Sequence, residues 1–432
     1  MTFAMRPFIS AAFVAFVASG LTATELNWPQ FRGPRGDGSS PAKDVPAIWS
    51  ETNNIVWKVS TPGRGRSSPV VLGDHLWLTL AVEKGTRRER IGPDDMQTTE
   101  HITLEAVCLD RADGKILWRT KLFEVEKPDP VHWFNSWATP TPVVEPGRLY
   151  CDFGTYGTAG LDAKTGKILW KTRLPLDHQV GPGSSPVVYE NLLVLVRDGR
   201  DAQYVTALDK HSGKEIWKTD RPLINASPNA RKSFVTPLLV STGGRTQLIS
   251  PGPHWVVSYE PSTGKEIWRA RHGNGFSIGS CPVFGDGKAF FSTGCMKPEL
   301  WAIRADGEGD VTTTHAVWRS TKQVPVMSSP VLLGDELYWI SDDGIANCAD
   351  IDSGEVHWQE RMNQQHLASP LLVEGRICLF GMSGKTTVIK AGNQFEKLAE
   401  NFLEGNVVAT PAIVDGTIFL RTDSHLYRIG RE

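Results

Sequence analysis

The chain repeats itself along nearly its whole length, with a period of about 40 to 50 residues. Each unit begins with a small residue followed by proline, continues through β-branched runs separated by glycine turns, and ends near a tryptophan. A fixed period of this length is typical of β-propellers, in which each unit forms one blade. Eight such starts predict eight blades. They are Ser68-Pro69, Thr141-Pro142, Ser185-Pro186, Thr236-Pro237, Cys281-Pro282, Ser329-Pro330, Ser369-Pro370 and Thr410-Pro411.

Each unit has the pattern of four antiparallel strands. A tight turn follows the first aliphatic pair, as in Val70-Val71 before Gly73-Asp74. Short hairpin turns require residues that tolerate a positive φ, as Gly and Asp do. An Asp-x-x-x-Gly turn then separates the third and fourth strands, for example at residues 162–166. The pattern predicts an all-β fold of four-stranded antiparallel blades.

The eighth unit contains only three strand patterns before the chain ends at Glu432. Residues 55–59 precede the first unit and carry Trp57 at the position of the recurring tryptophan. We expect these residues to form the outer strand of the last blade and so to close the propeller with an N-terminal strand. Closure would remove sheet edges that otherwise promote aggregation.

The 15 tryptophans are explained in part by the repeat, because one recurs in most units shortly after the Asp-x-x-x-Gly turn. A large ring at this position can fill the seam between neighbouring blades. A row of tryptophans could also stack on bases or sugars, but regular recurrence favours packing. The seventh unit has Leu398 in the tryptophan position. The predicted docking residues are Trp57, Trp118, Trp170, Trp217, Trp268, Trp318 and Trp358.

The N-terminus has the pattern of an export signal, with Arg6, a mostly apolar stretch at residues 8–17, and small residues near Ala23. We assign residues 1–23 to a signal peptide and 24–432 to a single propeller domain. The apolar stretch is too short to span a membrane, and no cysteine precedes Cys108 to carry a lipid. The prediction is a soluble periplasmic or secreted protein with no transmembrane segment and no lipid anchor.

The net charge of -2 argues against a nucleic-acid partner, because nucleic acids are usually bound by a basic protein surface. The six cysteines contain no Cys-x-x-Cys pair, so a zinc ribbon is not indicated. Cys281 and Cys295 flank one predicted hairpin and are the best disulfide candidates. Whether they pair is left open by the sequence.

The segment 161–170, with the sequence LDAKTGKILW, resembles the tryptophan-docking motif of the PQQ-like (pyrroloquinoline quinone repeat) β-propeller family. Residues 28–34 (WPQFRGP) and 421–430 (RTDSHLYRIG) are similar to a secreted bacterial branch of that family. The family includes quinoprotein alcohol dehydrogenases, which hold pyrroloquinoline quinone and calcium, and non-enzymatic members such as the outer-membrane assembly lipoprotein. The resemblance implies the fold, whereas function depends on the site.

Loops that join successive blades surround one mouth of a propeller channel, where we expect a ligand to bind. Arginine can pair with carboxylates, and histidine can bind metal or transfer protons. These loops predict a site for an anionic or hydroxyl-rich molecule, although the same residues could instead cap strands or face water. The candidates are Arg64, Arg66, His132, Trp133, Asn135, His178, Arg271, His272, Asn274 and His366. No catalytic or metal-binding motif is present, so no catalytic or metal residue is assigned.

Two long insertions, at residues 83–101 and 124–138, are predicted to lie on the same face. Functional loops commonly extend from a rigid scaffold, so these insertions indicate a partner surface. The alternative is a lid that shields the seam beside the first blade.

The sequence favours a non-catalytic binding or scaffold protein that uses its loop-bearing face to bind an envelope protein or a small ligand. The alternatives are a PQQ-dependent dehydrogenase and a carbohydrate-binding accessory protein. In the dehydrogenases that the resemblance suggests, the quinone lies against a disulfide between adjacent cysteines, and this chain has no Cys-Cys pair. No cofactor is therefore predicted, with PQQ and calcium expected only under the alternative. The sequence does not predict whether the chain is a monomer or an oligomer.

Overall fold

The computed structural model describes residues 27–431; the predicted signal peptide lies outside them. Two short strands precede the repeats, β1 (Ser39–Ser40) and β2 (Ile55–Ser60). The first repeat and its insertions contain β3 (Val70–Leu72), β4 (His75–Lys84), β5 (Arg87–Ile91), β6 (Asp94–Thr98), β7 (His101–Asp110), β8 (Ile116–Glu126) and β9 (Val131–His132).

The second and third repeats contain β10 (Val143–Glu145), β11 (Arg148–Asp152), β12 (Thr158–Asp162), β13 (Ile168–Thr172), β14 (Val187–Tyr189), β15 (Leu192–Asp198), β16 (Gln203–Asp209) and β17 (Glu215–Asp220). The fourth and fifth contain β18 (Leu238–Thr242), β19 (Arg245–Pro251), β20 (Trp255–Tyr259), β21 (Glu266–Arg271), β22 (Val283–Gly285), β23 (Lys288–Ser292), β24 (Leu300–Arg304), β25 (Gly309–Asp310) and β26 (Ala316–Ser320).

The sixth to eighth repeats contain β27 (Val331–Leu333), β28 (Glu336–Ile340), β29 (Ile345–Asp350), β30 (Val356–Arg361), β31 (Leu371–Val373), β32 (Arg376–Phe380), β33 (Lys385–Lys390), β34 (Lys397–Phe402), β35 (Ala412–Val414), β36 (Thr417–Arg421) and β37 (His425–Ile429). Two 3-10 turns cover Gly154–Tyr156 and Pro228–Ala230.

The predicted all-β class and the four-stranded antiparallel sheets are confirmed. Seven sheets follow the repeat order, and an eighth has the order β2-β37-β36-β35. Trp57 lies opposite Arg428 in this last sheet, so a strand from the start of the described chain pairs antiparallel with one from its end. Two of these eight sheets have a fifth strand, because β1 adds in parallel to β31 and β25 adds in parallel to β21.

The small residue before the repeat proline has a hydrogen-bonding role in six of the eight repeats. Its side chain accepts the backbone N–H of the equivalent residue in the preceding sheet. The donor and acceptor residues are Ser68 to Thr141, Thr141 to Ser185, Ser185 to Thr236, Cys281 to Ser329, Ser329 to Ser369, and Ser369 to Thr410, at 2.9–3.0 Å. The short hydroxyl side chain thus satisfies a buried donor between sheets.

Cys281 occupies one position of this hydroxyl series, and its backbone N–H donates to Ser329 Oγ at 2.9 Å. Cys295 lies in the loop after β23, where its backbone N–H donates to Phe276 O at 2.8 Å. All six cysteines are free. The candidate disulfide between Cys281 and Cys295 is therefore not formed, because Cys281 packs between the first strands of neighbouring sheets.

Six of the seven predicted docking tryptophans donate Nε1–H to a backbone carbonyl in the turn of the next sheet. The pairs are Trp57 to Arg111, Trp118 to Ala163, Trp170 to Lys210, Trp217 to Pro261, Trp318 to Ile351 and Trp358 to Gly392, at 2.8–3.3 Å. The same bond therefore connects six pairs of sheets.

Trp268 differs from the other docking tryptophans. Its Nε1–H donates to Gln247 Oε1 at 2.9 Å within its own sheet, and Gln247 Nε2 donates to Ala305 O of the next sheet at 2.9 Å. The fifth repeat has a longer connection that contains β25 in place of the Asp-x-x-x-Gly turn. The Gln247 side chain thus connects Trp268 to the next sheet, whereas the six other docking tryptophans bond to the next sheet directly.

The seventh repeat has Ala399 in the tryptophan position, not Leu398 as predicted. Ala399 lies opposite Val388, as Trp358 lies opposite Cys348 in the preceding sheet, because the turn between β33 and β34 is one residue longer than the equivalent turn of the sixth repeat. Leu398 is 40% exposed. Trp49 is buried in the same hydrophobic cluster against which Ala399 packs, so this cluster has a tryptophan from outside the repeats.

The segment before β2 runs across the first strands of several sheets. Trp28 bridges to Val71, and Pro29 O accepts the N–H of Val144 at 2.9 Å. Ser40 Oγ donates to Ile413 O at 2.8 Å, and β1 pairs with β31. The WPQFRGP motif therefore packs inside the assembly of sheets, and its Trp28 is completely buried.

Candidate functional site

The two long insertions combine into one small sheet. β5 and β6 form a hairpin, and β6 pairs with β9, so that Met96 lies opposite His132. The strand order β5-β6-β9 leaves β5 as an edge, and all five of its residues are exposed. The insertions are therefore ordered strands that project an accessible edge from the first sheet.

An aromatic and ionic cluster holds this small sheet together. Trp133 N–H donates to Asp95 O at 3.0 Å. Arg88 forms a forked pair with the Asp95 carboxylate and lies 4.5 Å over the Trp133 ring. The rings of His132 and Phe134 are 4.0 Å apart. Stacking and paired hydrogen bonds of this kind fix side-chain orientation, so Trp133 and His132 have structural partners within the insertions.

Three of the ten candidate residues come together in one cleft, at the base of the insertion sheet. The cleft is lined by Arg64, Gly65, Arg66, Glu83, Gln97, Asn135, Ser136 and Asp423. Arg64 Nη1 lies 3.4 Å from Glu83 Oε2, whereas Arg66 makes no side-chain hydrogen bond or ion pair with residues 27–431. We call this set of eight residues the arginine cleft.

The polar side chains on the far wall of the arginine cleft are largely engaged. Asn135 Nδ2 donates to Val180 O at 2.9 Å and to Pro182 O at 3.2 Å. Asp423 accepts from the backbone and side chain of Asn406 at 3.2 and 3.0 Å. The side-chain donors left in the cleft are therefore chiefly those of its arginines.

The remaining candidates do not join this cleft. Burial lowers the pKa of His178, His272 and His366 to about 4, so all three are neutral near pH 7. His272 Nε2 hydrogen-bonds to Gly252 O at 2.9 Å, and His366 is fully buried. Burial also lowers the pKa of His132. These histidines pack among loops and strands and do not line an open funnel.

Arg271 and Asn274 are exposed and stand apart from the arginine cleft. Within residues 27–431, no group of three or more His, Cys, Asp or Glu side chains is placed to hold a metal ion. The ten candidates therefore separate into an arginine cleft, an aromatic cluster, buried histidines and an exposed loop.

Arg421 lies behind the arginine cleft and was not among the candidates. Its side chain is buried, and Nη1 donates to Ser67 Oγ at 2.8 Å and to the carbonyls of Ser67 and Thr79 at 3.1 and 3.2 Å. Burial, with Arg66 as a like-charged neighbour, lowers the pKa of Arg421 to about 9. A charged residue at the end of the apolar strand pattern TIFLR was the sequence signal that could have identified it.

A separate cavity of about 460 Å³ lies beside the N-terminal segment. Its lining includes Phe31, Arg35, Val188, Leu238 and Phe284, from that segment and from the first strands of three sheets. Small-molecule pockets are often of this size and this apolar. None of the ten candidates lines it, because the sequence did not predict that residues 28–40 pack among the first strands.

The part of the chain that the structure describes contains no helix long and apolar enough to cross a membrane.

Comparison with known proteins gives distant matches. The chain is 22% identical over 358 residues to tetrathionate hydrolase of Acidithiobacillus ferrooxidans, covering 77% of the chain and 66% of that protein. It is 24% identical over 248 residues to the quinohemoprotein alcohol dehydrogenase ADH-IIG of Pseudomonas putida, covering 50% of the chain and 31% of that protein. The chain thus spans about two-thirds or less of these relatives.

Among solved structures, the fold is similar to the crystal structure of BamB from Moraxella catarrhalis. The TM-score is 0.59 at 14% identity, and the match covers 87% of the chain and 99% of that structure. A family model described as outer membrane protein assembly factor BamB matches residues 103–251 and 252–429, well over half of the chain. Together with the repeated four-stranded sheets, this match shows that the chain belongs to the BamB-like family of PQQ-repeat β-propellers.

Proposed function

We propose that the eight sheets are the eight blades of a closed ring, with β2 as the outer strand of the last blade. Two contacts between the last and first sheets support closure. Trp57 Nε1 donates to Arg111 O at 3.1 Å, and Arg111 Nη2 lies 2.9 Å from Asp415 Oδ2. The seam between the ends of the repeat series therefore has the same docking bond as five of the internal seams.

We propose further that this ring is an exported, non-catalytic binding or scaffold protein that takes a partner on its loop-bearing face. The observation that carries the proposal is the insertion sheet, whose edge strand β5 is exposed along its whole length. An exposed edge presents unpaired backbone donors and acceptors to a second chain. The partner would be an envelope protein of the periplasm or exterior, or a small ligand. Similarity to an outer membrane protein assembly factor supports a protein partner.

The scaffold role is tested by replacing Arg87, Glu89 and Ile91 of β5 together with alanine. Because these side chains are exposed, the melting temperature should stay within a few degrees, while co-purification of the partner from the host envelope should be lost. The matched control replaces the exposed Lys164, Lys167 and Leu169 of the second sheet. Undiminished capture by the β5 variant would contradict the proposal.

The alternative of a quinone-dependent dehydrogenase is supported by the similarity to quinohemoprotein alcohol dehydrogenase ADH-IIG. The residues present do not fit pyrroloquinoline quinone and calcium well. The 432 residues contain no adjacent cysteine pair, and residues 27–431 hold no acidic cluster suited to calcium. We expect no dye reduction with alcohols or sugars after titration with pyrroloquinoline quinone and calcium. Saturable quinone binding with turnover would favour the dehydrogenase.

A further inference from the structure

The second residue after each repeat proline points its backbone away from its own sheet. It lies between two first-strand residues that bond across the hairpin, because residues beside a two-residue turn form a hydrogen-bonded pair and such pairs alternate along the strand. Each first strand ends its sheet, except that β1 joins β31. The N–H and C=O of these residues therefore face outward. The eight residues are Val71, Val144, Val188, Leu239, Phe284, Leu332, Leu372 and Ile413.

The N-terminal segment, residues 28–40, bonds to four of these eight residues. The bonds, at 2.8–2.9 Å, are Val71 with Trp28 in both directions, Val144 N–H to Pro29 O, Leu372 N–H to Gly38 O, and Ser40 Oγ–H to Ile413 O. The four first-strand residues that receive these bonds are at most 6% exposed. The segment therefore covers the outward edges of the first, second, seventh and eighth sheets.

Three of the other four residues line the cavity of about 460 Å³ beside the N-terminal segment. They are Val188, Leu239 and Phe284, from β14, β18 and β22. No residue between 27 and 431 bonds to their outward N–H or C=O groups, and all three are only partly buried. This space, which we call the first-strand cavity, thus lies where the N-terminal segment leaves three strand edges uncovered.

The walls of the first-strand cavity are mainly apolar. Phe31 and Pro34 of the N-terminal segment face it, together with Leu238 of β18. Its only charged lining residues are Arg35 and Asp37, whose side chains pair with each other at 3.2 Å. A cavity with apolar walls and a few backbone donors and acceptors suits an uncharged ligand that can both donate and accept hydrogen bonds.

We propose that the first-strand cavity binds an extended, uncharged and mainly apolar segment of a second protein. The segment pairs its backbone with the outward groups of β14, β18 and β22, as residues 28–40 bond to the first strands of four other sheets. A peptide backbone carries both a donor and an acceptor at nearly every residue, and addition of an extended segment to a strand edge is a common mode of peptide recognition.

The first-strand cavity is separate from the surfaces described above. No residue of the arginine cleft or of the insertion strands β5, β6 and β9 lines it. The inference therefore goes beyond the proposed partner surface on the insertion sheet. An apolar molecule without amide groups would fill the space but leave the strand edges without partners, which is the less favourable arrangement.

The test is calorimetric titration of the purified protein with the capped peptide acetyl-Val-Ala-Val-Ala-amide. We expect saturable binding. The matched ligand is the same peptide with N-methylated backbone amides, which keeps the apolar side chains but loses the donors. It should bind roughly tenfold more weakly or worse. Acetyl-Asp-Ala-Asp-Ala-amide should also bind more weakly than the first peptide, because its carboxylates would lose water without gaining a counter-charge.

The strand edge is tested by Val188→Pro, which removes one outward N–H and leaves the bonds to β15 in place. Proline is tolerated where the N–H of an edge strand faces outward, and melting curves show whether the variant folds. Peptide binding should weaken by roughly fivefold. Leu332→Pro is the matched control, because Leu332 is the equivalent residue of the sixth repeat and does not line the cavity. It should bind the peptide as the parent does.

The position of the peptide is tested with a photoreactive benzoylphenylalanine in place of its second valine. Crosslinks should map to residues 186–188, 236–240 or 282–284. No saturable binding, equal binding of the N-methylated peptide, equal affinities of Val188→Pro and Leu332→Pro, or crosslinks elsewhere would overturn the inference. The β5 variant should bind the peptide as the parent does, so loss of partner capture and loss of peptide binding are separate results.

Discussion

At the scale of single residues, the turn glycine and the docking tryptophan depend on each other. Gly213 has φ +71°, and a Cβ on it would lie 2.4 Å from Trp170 Cε3. Its carbonyl accepts a hydrogen bond from Thr172 Oγ1 at 2.6 Å, and Trp170 Nε1 donates to Lys210 O of the same turn. The glycine in the Asp-x-x-x-Gly motif therefore provides both the left-handed backbone and the space for the ring of the preceding sheet.

We expect Gly213→Ala to lower the free energy of unfolding by about 2–4 kcal/mol, because left-handed strain and overpacking against Trp170 add. Gly243→Ala is the control. Gly243 also has a positive φ, of +57°, but nothing lies within 4 Å of its added Cβ, so strain alone of about 1–2 kcal/mol is expected. Urea unfolding of the two variants measures the difference. Equal midpoints would show that the turn can move away from Trp170.

The candidate residues show what single positions in a sequence can and cannot predict. The repeat placed Arg64, Arg66 and Asn135 in inter-blade loops, but it grouped them with seven other candidates that lie outside their cleft. Arg421 was missed because its partner loop is more than 300 residues away in the chain. The burial of His272 also could not be predicted, since a histidine in an inter-blade loop has the same local sequence whether it faces solvent or Phe291.

At the scale of elements, the repeat predicted the strands well because each sheet forms from neighbouring segments. The pairing of β6 with β9 and the position of β1 beside β31 were not predicted, since both join segments that lie apart in the chain. The predicted tryptophan position of β34 was wrong by one residue, because the turn from Lys390 to Glu396 is one residue longer than the equivalent turn from Asp350 to Glu355. Local patterns specify strands, whereas long-range contacts specify partners and register.

The contribution of strand β2 to the stability of the last sheet can be tested by a substitution at Trp57. Trp57 is 9% exposed, its ring centroid lies 6.0 Å from that of Phe419, and it docks onto the first sheet. We expect Trp57→Ala to cost about 3–5 kcal/mol, as removal of large buried aromatic side chains does. Leu398→Ala, on the exposed face of β34, should cost less than about 1 kcal/mol. Similar urea midpoints for both variants would show that β2 contributes little to the last sheet.

At the scale of the whole molecule, repeat proteins are stabilised by their units and by the interfaces between neighbouring units. This chain adds a segment that contacts units far apart in sequence. Trp28 and Pro29 contact the first and second sheets, while Ser39 and Ser40 contact the seventh and eighth. Such a segment couples distant units, so their unfolding should be more cooperative than nearest-neighbour contacts would make it.

We therefore expect deletion of residues 27–40 to lower the midpoint of urea unfolding and to broaden the transition, because the sheets lose a shared contact and apolar first strands become solvated. The milder variant Trp28→Ala, at a fully buried position, should lower the free energy of unfolding by about 3–5 kcal/mol. Joint replacement of Arg87, Glu89 and Ile91 by alanine is the control, since these β5 side chains are exposed. It should change neither the midpoint nor the slope appreciably. If the 27–40 deletion unfolds with the parent's midpoint and slope, the segment fills space among the sheets without coupling them.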